Sequence, residues 1–106
     1  MPQSISYVYA HLIFSTKDRM PLINEYIEDT LFRYLAGTCK KLNGIPIQVG
    51  GYKDHVHILS VLPKDTTQVK FVEEIKKSSS KWMKTQGKQY EGFFWQRGYG
   101  LFSINP

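Results

Sequence analysis

The chain has 106 residues, enough for one domain with a real core and little to spare. At 42% hydrophobic and 14% aromatic it has the composition of a folded protein, which excludes a disordered chain. Fourteen basic residues against nine acidic ones give a net charge of +5 and a pI near 9.4, pointing to a polyanionic partner, nucleic acid ahead of a membrane surface.

The opening MPQSISYVYAHLIF has no charged n-region and no small-residue cleavage site, so it does not read as a secretory signal. No apolar run is long enough to span a bilayer, and a cytoplasmic location is expected. Residues 4–16 are rich in aromatic and β-branched side chains and predict a strand. Tyr7, Tyr9, His11 and Ile13 fall on one side of it, and Val8, Ala10, Leu12 and Phe14 on the other. Both sides are mostly apolar, which predicts a central strand with each face covered.

After the break at KDRMP the period becomes helical over about 24–42, with Ile27, Leu31, Tyr34, Leu35, Thr38 and Leu42 on one stripe. Asn24 suits the N-cap and Asn43-Gly44 the stop. Cys39, the single cysteine, has no disulfide partner in the chain, fits a reducing compartment, and lies beside the stripe as a packing residue. IPIQVGGYKDHVHILSVLP predicts two strands, over 45–49 and 54–62, joined by a turn around Gly50-Gly51. A second helix is expected from Thr66 or Thr67 to about Thr85. Its stripe is Val69, Val72, Ile75, Ser79 and Trp82, with Phe71 and Met83 at the margins. GFFWQRGYGLFSIN predicts a last strand with an irregularity at 98–100. The order strand, helix, strand, strand, helix, strand is that of an α+β, ferredoxin-like βαββαβ sandwich: an antiparallel sheet with both helices on one face. The other face then lacks cover and calls for a second subunit or a further segment.

His55 and His57 are two apart in a strand, so they share a face while Val56 points the opposite way. They are either two polar residues on the wet side or a pair able to chelate one ion. Without thiolates the pair does not suit a closed zinc site, so the metal alternative is an open divalent-ion site completed by water and a substrate oxygen, beside the reading as surface histidines. His11 joins them only if the first and third strands are neighbours, and Asp54 is expected on the opposite face. Lys70, Lys77, Lys81 and Lys84 recur on one side of the second helix. With Lys76, Lys88 and Arg97 they form either a solvated surface or a band for phosphates. The serines at 78–80 and Trp82 and Trp95 read as phosphate donors and base-stacking groups, or as packing.

HVHIL matches the His-hydrophobic-His motif of HUH nucleases. AHLIFSTKDRMPLI, SSSKWM and FWQRGYGLFSI resemble, in order and spacing, the first strand, second helix and last strand of one family. It is the HUH-type single-tyrosine transposases of small bacterial insertion sequences, with the related repeat-associated tyrosine transposases. The resemblance runs from Tyr7 to Ile104. It implies a homodimer that binds hairpin single-stranded DNA at element ends and cuts and rejoins it through phosphotyrosine. His55 and His57 would hold Mg2+ or Mn2+, and Lys70, Lys76, Lys77, Lys81, Lys84 and Arg97 would contact DNA. In the family the nucleophilic tyrosine follows the last strand, on a helix. None of the seven tyrosines aligns with it, and by the resemblance its place falls beyond Pro106. Residues 1–106 are therefore expected to be one transposase-like domain without that helix, unable to cleave. The alternative is a hairpin DNA- or RNA-binding module without chemistry.

Overall fold

The computed structural model describes residues 7–104. Pro106, after which the tyrosine-bearing helix is expected, lies outside the described residues, so the structure leaves that expectation where the resemblance put it. In chain order the elements are β1 (Tyr9–Ser15), α1 (Glu28–Lys41), β2 (Ile45–Tyr52), β3 (His55–Val61), α2 (Gln68–Met83) and β4 (Gly100–Ile104). Single 3-10 turns stand at Lys17–Arg19 and Lys88–Tyr90. The strands form one antiparallel sheet in the order β2-β3-β1-β4, which with the two helices is the expected ferredoxin-like arrangement.

The two central strands read as they should. Ala10, Leu12 and Phe14 of β1 and Val56, Ile58 and Ser60 of β3 are buried, alternating with half-buried neighbours on the other face. The buried face meets Leu31, Leu35 and Cys39 of α1 and Phe71, Val72, Ile75 and Met83 of α2. Each such side chain contributes about 1.5–3 kcal/mol by leaving water. Cys39 is fully buried and its thiol is pushed up to about 11, as suits a packing residue.

Helix α2 begins where Thr67 accepts the Lys70 amide through its side chain, the N-cap expected there. Its buried stripe is turned from the expected one. Val69 is 54% exposed, while Phe71 and Met83 are fully buried. The α1 and α2 surfaces meet through Trp82, stacked on Tyr34 with centroids 4.7 Å apart, and this draws α2 round. Helix α1 starts at Glu28 after a turn in which Asn24 accepts the Tyr26 amide, and it stops at Asn43 in the left-handed conformation (φ 69°).

The expected turn at Gly50-Gly51 is misplaced. Both glycines belong to β2, paired with His57 and Val56, and the chain reverses at Lys53-Asp54. A Cβ on Gly51 would run into the His55 carbonyl oxygen, and one on Gly50 would lie 2.9 Å from the His57 ring. Close approach by β3, not turn geometry, is what the glycines serve: β3 backbone demands one at 51, and the movable His57 ring fills the space at 50. The last strand is shorter than expected. Residues 91–99 run irregularly, pinned by a Thr16–Trp95 bridge, before β4 pairs with β1 at the sheet edge.

Candidate functional site

The pleat of β3 that buries Val56 and Ile58 sends His55 and His57 to the face away from the helices. In the register Ile13 and Gly50 flank His57, and Ser15 and Tyr52 flank His55. Because β1 and β3 are neighbours, His11 does share this face. Its ring meets that of His57 edge-on, with centroids 5.5 Å apart. The glycine at position 50 leaves the space over β2 that the His57 ring occupies.

Asp54 differs from the expectation. Strand alternation does not carry through the turn, and its side chain reaches back to its neighbour. Its Oδ1 is 3.0 Å from His55 Nδ1, and its Oδ2 accepts from Arg19 Nε at 3.1 Å. A carboxylate can only accept, so His55 donates from Nδ1, and in the neutral ring this tautomer leaves the lone pair on Nε2. The hydrogen bond with His55, and then the Arg19 charge, hold the Asp54 carboxyl below its usual range. Arg19 is delivered by a tight turn in which Asp18 and Arg19 are both left-handed (φ 56° and 57°). The buried Thr16 hydroxyl closes that turn by donating to the Met20 and Asp54 carbonyls. His57 is pushed below its ordinary value, first by burial and then by the charges of His11 and His55. The neutral form, which is the ligating form, is thereby favoured. Among the described residues no group of three or more His, Cys, Asp or Glu is placed to hold a metal ion. The face offers two adjacent imidazoles and no closed cage.

The basic band divides in two. Lys70, Lys77 and Lys81 stand exposed on α2, with no salt-bridge partner among the described residues. Lys76 and Lys84 turn onto the 93–98 segment instead. The Lys76 ammonium donates to the Gln96 and Gly98 carbonyls at 2.7 and 2.8 Å. The Lys84 ammonium donates to Ser80 Oγ at 2.8 Å and to the Phe93 carbonyl. Burial lowers the pKa of both. They clamp the chain that carries Arg97. Arg97 itself is exposed and borders a cleft of about 330 Å³ together with Ser15, Arg19, His55 and Tyr99. A larger hollow of about 550 Å³ lies at the far end of β1 and β3, near Val8 and Leu62, away from the histidines.

The serines and tryptophans take the packing role. Ser78 bonds the Tyr34 hydroxyl at 2.6 Å, and Ser79 donates to the Ile75 carbonyl and accepts from Trp95 Nε1 at 2.9 Å. Trp95 meets Phe14 and Phe93 edge-on in the core. The exposed aromatics of the 91–99 segment are Phe94 and Tyr99, which the sequence did not single out as contacts: the segment has no period to show which side chains turn outward.

A family model described as "Transposase IS200 like" matches residues 4–106. Among solved structures, a chain described as a "putative transposase" from Deinococcus radiodurans R1 is similar with a TM-score of 0.85 and 19% identity. The match covers 99% of this chain and 85% of that one. A REP-associated tyrosine transposase bound to a REP hairpin is similar with a TM-score of 0.66 and 15% identity. That match covers 100% of this chain and 64% of that one. At these identities the two structures support the fold. Comparison with curated proteins gives no match. The family model spans nearly the whole sequence, and the chain belongs to the IS200-like transposase family.

Proposed function

We propose that this chain binds hairpin or single-stranded DNA and presents a scissile phosphate to a divalent ion held by His55 and His57. The observation that carries this reading is the pair of imidazoles on the open sheet face, one with Nδ1 engaged by Asp54 and the other biased to its neutral form. The donor set suits an ion such as Mg2+ or Mn2+ held weakly, with water and phosphate oxygens making up the remaining ligands. When bound, that ion supplies charge neutralisation at a phosphate oxygen. The protein's own residues do the rest. Asp54 and Arg19 fix the His55 ring, while Lys70, Lys77, Lys81 and Arg97 attract and align the DNA backbone. Lys76 and Lys84 hold the Arg97 segment in place and act on DNA through it. The reading assigns residues 1–106 a binding role and no cutting step, because by the resemblance none of the seven tyrosines stands at the family's nucleophile position.

Double substitution of His55 and His57 by alanine tests the metal reading. Mn2+ binding, followed by paramagnetic broadening, disappears, while hairpin binding in EDTA persists. A double variant that still binds Mn2+ like the parent overturns the assignment. Cleavage products or a covalent DNA adduct from residues 1–106 overturn the non-cutting part. The exposed Phe102 and Ile104 at the β4 edge support a homodimer, which light scattering at several concentrations tests.

A further inference from the structure

Outside the histidine face, the irregular 93–99 segment concentrates exposed features that the band on α2 does not use. Phe94 is 53% and Tyr99 40% exposed, although each neighbours a residue the fold holds firmly. Phe93 and Trp95 are buried on either side of Phe94. The Gln96 and Gly98 carbonyls are tied to Lys76, the Phe93 carbonyl to Lys84, and the Lys17 amide donates to the Phe94 carbonyl at 2.9 Å. These bonds make the segment a fixed platform, so its two outward rings need little ordering on binding. Two cations lie over the Phe94 ring, the Lys84 ammonium 4.1 Å and the Lys17 ammonium 5.9 Å from its centroid, so a base stacks on the ring surface they leave open.

The two clefts along this segment share one residue. A cleft of about 340 Å³ is lined by Lys17, Phe94, Trp95, Gln96 and Arg97. The cleft of about 330 Å³ that reaches His55 is lined by Arg97 as well, with Arg19 and Tyr99. Arg97 therefore borders both the cleft at Phe94 and the cleft at His55. An aromatic platform, then a guanidinium, then a second aromatic is the alternation that takes up unpaired nucleotides: bases stack on rings while cations hold phosphates. A duplex keeps its base faces stacked inside and cannot use the rings in this way.

We infer that the path Phe94–Arg97–Tyr99 is a binding track for unpaired nucleotides of a single-stranded nucleic acid, leading the strand to His55. This rests on the reading under Proposed function but needs no metal. Phe94 is a stacking contact, Arg97 a phosphate contact, and Tyr99 a second stacking contact beside the histidines.

The test uses the full chain in EDTA with a fluorescent oligo-dT about twelve nucleotides long, within the usual span of such sites. Phe94→Ala lowers affinity roughly five- to a hundred-fold, Phe94→Trp keeps it, and Phe94→Leu behaves like alanine. Arg97→Gln flattens the slope of log K against log salt by about 0.7. Tyr26→Ala, at a residue 87% exposed that lines neither cleft, changes nothing. All these side chains are exposed, and circular dichroism checks that each variant folds. If the parent binds oligo-dT but Phe94→Ala and Tyr99→Ala bind equally well, the track is wrong while the wider reading stands. If Phe94→Leu retains full affinity, apolar contact and not stacking is at work, and the track is again wrong. If the parent binds neither oligo-dT nor a hairpin, both fall.

Discussion

Replacing Gly50 with alanine separates the metal-holding geometry from the stability of the fold. The added Cβ would lie 2.9 Å from His57 Cε1 and 3.2 Å from Nε2, but 3.8 Å from Nδ1. Carbon contacts settle at about 3.5–4.0 Å, so the near edge of the ring must withdraw by roughly 0.6–1 Å. Ligand distances in metal sites tolerate only about ±0.2 Å, and the shift exceeds this several-fold. The fold should hardly notice. The His57 ring is half-exposed and can turn, at about 0.5–1.5 kcal/mol for leaving its rotamer. Gly50 has an ordinary φ, so alanine regains about 0.4–1 kcal/mol by restricting the unfolded chain. The net change in stability is within about 1 kcal/mol. Mn2+ affinity falls roughly ten- to a hundred-fold, or about 1.4–2.8 kcal/mol. Chemical denaturation and Mn2+ titration give the two numbers from the same preparation, and the double variant with His57→Ala loses no more affinity than His57→Ala alone. The reasoning is refuted if Gly50→Ala binds Mn2+ as the parent does while its His57 ring resonances have moved.

Changing Lys70, Lys77 and Lys81 together to glutamine should flatten the salt dependence of single-strand binding by about 2 in log–log slope, at unchanged thermal stability, because these side chains are exposed and have no salt-bridge partner among the described residues. Lys76→Met should cost about 0.5–1.5 kcal/mol in urea unfolding, since two carbonyls on exposed residues exchange a charged donor for water; an unchanged midpoint would show that the clamp carries no energy. For pH, the His57 pKa in the folded chain lies below its ordinary 6.5, so on acidification the unfolded chain takes up the proton first. The stability that His57 contributes is complete above 6.5 and declines as pH falls from there through the folded value. Asp54, held below 3.8, loses its contribution only in the lower window beneath that value. Urea midpoints across the range should show the upper step, and His57→Gln should remove it.

What was legible in the sequence followed from period. The alternation in β1 and β3 fixed which side chains enter the core and put His55 and His57 on the opposite face, as observed. The 3.6-residue stripes found both helices, and the element order gave the sandwich. What failed had no period or depended on a partner strand. The Gly50-Gly51 pair reads as a turn because glycine most often serves backbone freedom. Here it serves close approach, which is visible only once β3 lies across it. Asp54 belongs to the turn this error misplaced, so its link to His55 was out of reach by alternation.

The same distinction explains why the lysine band divides. Helical spacing places Lys84 near Lys70, Lys77 and Lys81, and Lys76 farther round, but spacing says nothing of where a long flexible stem delivers its charge. An irregular segment packed against α2 has carbonyls that no ladder satisfies, and these draw in the nearest ammonium groups. Cations nearest the platform are thereby used to build it, while those one turn away stay exposed. Of the platform's own outward residues, Arg97 and Tyr99 border the cleft that His55 lines, and Phe94 borders the second cleft with Arg97. On the proposed function, positive charge on this protein therefore has two physical jobs. If Lys76→Met weakens oligo-dT binding without changing its salt slope, and Lys77→Gln changes the slope without altering stability, the division between scaffold and contact holds. If both lysines change slope and stability alike, it does not.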